Sequence, residues 1–413
     1  MLFAHLADLH LGKSIYGKSM IDDQRNFIIN FLKICDEKKP DAVLIAGDVY
    51  DRGAPGEEAV KLLDMLLTGL CGMRIPVLMV AGNHDNGMKL AFAGEILKKE
   101  GIYIAGRACK EMTHVTLENP DGMGDVNFYL MPYIFPEEIK RLLENDEIRN
   151  YDQAAKTLIA CQNINFSERN ILIAHQNVIA NGKKAEYGGS ESMVGGVGEI
   201  DYKTFDGFDY VALGHIHSSY PVGREEVRYG GTPLCYHFEE TKQKERGALF
   251  VEIGEKNGAI NISREVIEPL HKMRYLRGTK QDIYSQLIDD SGRGEYIGVR
   301  ITDERISPEI SVYLRTLLEG RDSVLMDLKS EYSTYDLPES ESRISDMESK
   351  SLEDLFSELL RDSSEEGLPS DGEYELMKFV GELTRNSDFS EQIKEEDINK
   401  ILVKASEIGG DSD

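Results

Sequence analysis

The sequence predicts an α/β protein: a sheet covered by helices, followed by a small α+β cap domain and a C-terminal helical tail. Three observations carry this. Short apolar runs bounded by Pro or Gly, such as Val43, Leu44, Ile45 and Ala46, read as strands buried on both faces. Between them, apolar residues recur at three- and four-residue spacing, the pattern of crossover helices. Beyond residue 265 the pattern changes to that of a small α+β domain, and beyond 332 acidic residues accumulate.

Taken in order, LFAHLADLH is a strand ending in Asp8 and His10. Phe27, Ile28, Phe31, Leu32 and Cys35 predict the first crossover helix, and Ala59, Leu62, Leu63, Leu66 and Leu67 the second. VLIAGD ends in Asp48, and PVLMVAGNHD in Asn83, His84 and Asp85. Residues 90–97 suggest a third helix. A mostly polar helical stretch precedes ILIAHQ, which ends in His175, and DYVALGHIH ends in His215 and His217. The glycine-rich segment 186–198 reads as a surface loop. RYGGTPLCYHF and GALFVEI suggest hairpins that complete a first domain, 1–265.

In the cap domain, 266–332, MRYLRG, EYIGVRIT and SVLMDLKSEY predict strands. QDIYSQLIDD and SPEISVYLRTLLEG predict helices, the latter with Ser307 as its cap and Pro308 at its first position. Residues 333–350 have linker composition, rich in Ser, Glu and Asp. In the acidic tail, 351–413, Leu352, Leu355, Phe356, Leu359 and Leu360 form a narrow apolar stripe. Tyr374, Met377, Val380 and Leu383 form another. Short helices of this kind need a surface to cover the stripe, on the chain itself or on a partner.

The formal charge is −27, of which residues 331–413 carry −16. Such a balance argues against sequence-independent DNA binding through overall charge, while leaving room for a locally basic groove. Five scattered cysteines without a CxxC pair fit reduced thiols. The first residues lack the apolar core of a signal peptide, and no apolar run approaches the roughly 18 residues of a membrane helix. A soluble, cytoplasmic protein without a membrane partner is expected. Residues 12–19, GKSIYGKS, match the phosphate-loop pattern formally, but the preceding strand end already carries Asp8 and His10. The segment reads as a surface loop beside the site, with Lys13 or Lys18 available to a phosphate backbone.

Five strand ends carrying only carboxylate, imidazole and amide groups predict a metal centre, at the rim where α/β sheets bind ligands. Asp8, His10, Asp48, Asn83, His175, His215 and His217 are the candidate ligands, an N/O set suited to Mn²⁺, Fe or Zn²⁺. Seven are too many for one four-coordinate ion. Two ions about 4 Å apart, bridged by one carboxylate, would use them all and suit in-line displacement at phosphorus. His84 is then left to protonate a leaving oxygen, with Asp51 placed to orient its ring.

D-x-H, G-D-x-x-D-R-G, G-N-H-D, a later lone His and G-H-x-H, in this order, resemble the signature of the calcineurin-like metallophosphoesterases. That resemblance implies a β-sandwich flanked by helices. Within the superfamily, ADLHLG, AGDVYD, VLMVAGNHD, VALGHIH and YGGTPLCYHFEE resemble the SbcD-type nuclease subunits. The resemblance implies that Asp8, His10, Asp48 and His217 hold one metal, and Asp48, Asn83, His175 and His215 the other, with His84 near the scissile phosphate. It further implies two Mn²⁺ ions and DNA as substrate, with exonuclease action on duplex ends and endonuclease action on single strands and hairpins, in repair and recombination. The partner it implies is an SbcC-like ATPase with a coiled coil, which the tail helices would dock, in a heterotetramer built on a homodimer of the nuclease. One rival is a phosphomonoesterase or protein phosphatase of the same superfamily, with Arg52 as the phosphate clamp. The other is a binding scaffold without metals, which the competent residue at every ligand position disfavours.

Overall fold

The computed structural model describes residues 1–332 except 119–121, 181–197, 244 and 290–291. The expectations for the glycine-rich segment as far as residue 197, for the linker and for the tail helices fall outside the described residues. Met1–Tyr332 forms one compact unit.

Two six-stranded sheets make the body. The first runs in the order Ile260–Val266, Gly247–Ile253, Leu2–Leu6, Ala42–Ala46, Val77–Val80, Ile102–Ala105. Its last four strands are parallel, and Gly247–Ile253 joins Leu2–Leu6 antiparallel. The second runs Pro221–Val222, Arg224–Tyr229, Tyr210–Gly214, Arg169–His175, Val126–Met131, Thr113–Leu117. The period-2 alternation of side chains explains how both faces of each sheet are buried. Phe3, Leu44, Leu78 and Val80 meet Phe128, Ile171, Ile173 and Ala212 between the sheets. Leu6, Val43, Ile45 and Met79 point the other way, onto the helices Ile21–Lys38 and Glu57–Gly72. Leu172, Ala174, Val211 and Leu213 pack on Pro136–Leu143 and Tyr151–Ala160. The result is a four-layered α–β–β–α sandwich, as the expected fold class requires.

Both crossover helices stand where the apolar spacing puts them. Phe27, Ile28, Phe31 and Cys35 are buried on the first; Ala59, Leu62, Leu63, Leu66 and Leu70 on the second. Two expectations are corrected. Residues 90–97 are not one helix: Gly87–Leu90 and Gly94–Leu97 are single turns separated by Ala93, whose φ of 58° breaks the path. RYGGTPLCYHF is a strand only to Tyr229. Gly231 at φ 73° turns the chain, and Leu234, Tyr236 and Phe238 are buried from a loop that ends in the 3-10 turn Phe238–Lys242.

Residues 273–330 form a parallel three-stranded sheet, ordered Met273–Gly278, Tyr296–Ile301, Val324–Ser330, with the helices Lys280–Asp289 and Pro308–Glu319. Ser307 caps the second helix by accepting from the Ile310 N–H. This sheet has its own apolar cluster, including Ile283, Ile297, Val299 and Leu314. One buried carboxylate fastens it to the sandwich. Asp23, in the first turn of Ile21–Lys38, accepts from the His271 N–H (3.0 Å) and the Tyr296 hydroxyl (3.0 Å). No helix among the described residues is long and apolar enough to cross a membrane.

His5 lies in the inter-sheet layer with Tyr210 Oη 3.0 Å from Nδ1 and the Leu213 carbonyl 3.2 Å from Nε2. A carbonyl only accepts, so Nε2 carries the hydrogen and Nδ1 accepts from the tyrosine. Burial pushes the imidazole down to about 3, the Leu213 contact opposing and Arg228 adding to the fall. The unfolded chain takes up that proton near 6.5, so stability is complete above that pH and falls as pH drops toward 3. His5 accounts for at most about 1.4 kcal/mol per pH unit in that window. Denaturant titrations at stepped pH are expected to show a shallower acid slope for His5→Gln than for the parent chain; equal slopes would remove His5 from the account.

Candidate metal centre

The candidate ligands stand at the carboxyl ends of strands from both sheets. Asp8 and His10 follow Leu2–Leu6, Asp48 follows Ala42–Ala46, and Asn83 follows Val77–Val80. His175 ends Arg169–His175, and His215 and His217 follow Tyr210–Gly214. Asp8, His10, Asp48, His175, His215 and His217 are buried, whereas Asn83 is exposed. All seven come together. Ligand atoms of Asp8, His10 and His217, and of Asp8, Asp48 and His175, lie within 4.8 Å of one another in each group. Asn83 Oδ1 is 3.0 Å from His175 Nε2 and 3.1 Å from His215 Nδ1.

The backbone is bent to achieve this. Asp8, His10, Asp48 and His215 have φ of 51°, 43°, 47° and 104°, in the left-handed region that costs non-glycine residues on the order of 1–2 kcal/mol each. Each bend turns a side chain from the strand end toward the others. Gly82 lets two of these ends touch, since a Cβ there would strike the Asp48 carboxylate and its backbone nitrogen.

Each aspartate divides its two oxygens between separate tasks. Asp8 Oδ1 accepts from the His215 N–H and Asp48 Oδ1 from the His84 N–H, both at 2.9 Å, tying one strand end to the next. Asp8 Oδ2 and Asp48 Oδ2 are buried with no hydrogen-bond partner among the described residues. Around Asp48 Oδ2 stand His175 Nε2 at 3.4 Å, His10 Nε2 at 3.7 Å and His84 Nε2 at 4.0 Å.

The imidazoles are held the same way. His175 Nδ1 donates to the Ala46 carbonyl (2.8 Å), and His217 Nδ1 to Glu240 (2.8 Å), so each turns Nε2 inward. His217 Nε2 faces His10 Nε2 at 3.1 Å. Acceptor atoms facing one another at these distances, beside two unpartnered carboxylate oxygens, are what a divalent cation satisfies. The residues present fit such ions.

Burial first, then the charge of Asp48, pushes the Asp8 carboxyl up to about 7 against His175 and His217. For Asp48 burial acts in the same direction, but the surrounding imidazoles, His175 foremost, outweigh it and hold the carboxyl well below its ordinary range. Burial alone would lower His175; the Asp48 and Asp8 carboxylates overcome it and raise the ring to about 10. His10 lies well below its ordinary value, mainly through burial. In the protein alone, protons on His175 and Asp8 balance charges that a cation would balance otherwise.

His84 sits at the open side, its side chain 34% exposed. Its Nδ1 meets the main-chain carbonyl of Asp51 at 3.0 Å. The Asp51 carboxylate instead takes Lys13 Nζ at 2.7 Å and lies 3.8 Å from His10 Nδ1. Lys13 is therefore engaged within the site. The GKSIYGKS segment is a two-stranded turn, Ser14–Ile15 with Lys18–Ser19, and the helix opens only at Ile21.

Three supporting residues carry no role in the sequence reading. Glu240 orients His217, and its Oε2 takes the Tyr236 N–H at 2.9 Å. Asp85 accepts from the N–H groups of Val49, Tyr50 and Gly82, fixing the turn after Asp48. Gln24 donates to the His10 carbonyl (2.7 Å) and accepts from the Gly12 N–H (2.9 Å). The signal for Glu240 is its place in YHFEE; for Gln24 the sequence holds none.

Carboxylates, imidazoles and an amide converging at the rim of an α–β–β–α sandwich define a metal-dependent phosphoesterase, a hydrolase. A family model described as calcineurin-like phosphoesterase matches residues 1–219, and the chain belongs to that family. The chain is also 28% identical, over 306 residues, to the SbcD component of the SbcCD nuclease of Staphylococcus epidermidis, a match covering 73% of this chain and 79% of the relative. The resemblance read from the motifs is borne out.

Gly82→Ala is expected to displace Asp48 and empty the centre while the fold persists. Elemental analysis of the purified variant should find markedly less bound metal than the parent, with far-ultraviolet circular dichroism unchanged. Full metal content would show that the Asp48 turn yields without harm.

Proposed function

We propose that this chain is an SbcD-type nuclease subunit that hydrolyses DNA phosphodiester bonds with two Mn²⁺ ions. The observation that carries the reading is the pair of buried, unpartnered oxygens of Asp8 and Asp48 ringed by inward-facing imidazole nitrogens. The nuclease named among its relatives supplies the substrate class. Asp8, His10, Asp48 and His217 would hold one ion, and Asp48, Asn83, His175 and His215 the other, with Asp48 shared. Such a pair, when bound, stabilises charge at phosphorus and makes water a better nucleophile. His84 then acts as general acid: Nδ1 meets the Asp51 carbonyl, and Nε2, 4.0 Å from Asp48 Oδ2, would pass a proton to the departing oxygen. Asp51 acts through that carbonyl, and through its carboxylate on Lys13. Exonuclease action on duplex ends and endonuclease action on single strands and hairpins, in repair and recombination, complete the reading.

The test offers the purified chain with Mn²⁺ three substrates in parallel: duplex DNA ends, a phosphopeptide and a small aryl phosphate. DNA cleavage is expected. Turnover of the phosphopeptide in its place would point to the phosphatase reading, with Arg52 as clamp. Asp48→Ala is expected to lose metal and activity together. His84→Ala should keep its metal and lose on the order of 10²–10⁴ in rate. Loss of metal from His84→Ala would make that residue a ligand.

The partner in this reading is an SbcC-like ATPase with a coiled coil, in a heterotetramer built on a homodimer of the nuclease. The acidic stretch beyond residue 332 would dock it, since its apolar stripes need a surface and its charge favours encounter with a basic one. Truncation after Tyr332 is expected to leave Mn²⁺-dependent cleavage intact and to abolish co-purification with the ATPase. Retained co-purification would place the docking surface elsewhere.

A further inference from the structure

On the exposed side of the metal centre a cavity of about 470 Å³ opens between the turn that carries Asn83 and the segment that carries Tyr133 and Phe135. The Tyr133 ring lies 6.2 Å from His175 and 6.1 Å from His215, centroid to centroid. Phe135 packs edge-on against Tyr133 at 5.0 Å and is 52% exposed. An aromatic wall thus begins at two candidate ligands and ends in an open ring face. Glu137, Glu138, Arg107 and Arg141 also line the cavity, so charges of both signs face it.

We propose that this cleft holds the base of an unpaired nucleotide beside the scissile phosphate, an inference that rests on the nuclease reading and names how that substrate is placed. Stacking on an aromatic ring suits any base, because every base has a π-face. A base stacked within the duplex has no free face, so the nucleotide must leave the stack first. Phe135 immediately precedes the helix Pro136–Leu143, and an isolated exposed ring there would need no explanation. Its place on a cavity that shares Asn83 with the metal centre is what calls for one.

The test is calorimetric titration of the full chain, with Mn²⁺ present, by deoxyguanosine 5′-monophosphate and by 2-deoxyribose 5-phosphate, which carries the same phosphate and no base. The nucleotide is expected to bind about ten-fold tighter, the contribution of one stacked base. Phe135→Ala should abolish that difference without weakening the sugar phosphate, and Phe135→Tyr should preserve it. Equal affinities in the parent chain, no measurable nucleotide binding, or a difference that survives Phe135→Ala would each overturn the proposal. Base-dependent binding by a chain that leaves DNA uncut would keep the cleft and defeat the nuclease reading. DNA cleavage without base dependence would do the reverse.

Discussion

Two carboxylates buried side by side, with no lysine or arginine among the described residues against them and only imidazoles around their inner oxygens, are the constraint on which the rest depends. Removing a charge from water is expensive unless another charge or several hydrogen bonds meet it. Asp8 and Asp48 meet half of that need internally, each giving one oxygen to the backbone of another strand end. The other half is met by what the imidazoles carry, a proton or a cation. Because the oxygens that bind backbone also fix the strand ends, the frame and the ligand set are one arrangement. A loss at either aspartate loosens both.

The surrounding chain is chosen to let this happen close to the junction of two sheets. Small residues stand where the strands converge: Ala7, Ala46 and Ala212 between the sheets, and Gly214 against the Ala46 carbonyl. Four residues in left-handed backbone store strain at the rim, and the apolar layers beneath supply the stability that retains it. The core is thus large relative to the site it supports.

The strands and every candidate ligand were legible because each ligand lies at the end of an apolar run, where local pattern and function coincide. The division of those strands between two sheets was not, since a buried parallel strand reads alike in either. Ala93 shows another limit: nothing in its identity marks the left-handed turn that splits residues 90–97. The supporting residues were hidden for a different reason. Gln24 reaches the Leu9–Gly12 loop and also Tyr236, and Asp85 reaches back to Val49 and Tyr50. Such roles exist only once distant segments meet. The Asp51 contact with His84, made through a main-chain carbonyl, lies equally beyond what a side-chain pattern can tell.

Asp23 and Gln24 are neighbours on the first turn of one helix. Asp23 clasps Tyr296 of the three-stranded sheet and His271 just ahead of it, while Gln24 grips the backbone of the loop that presents His10. The turn holds a different segment on either side. The anchor of the outer sheet and the support of a candidate ligand's loop are thus one peptide bond apart.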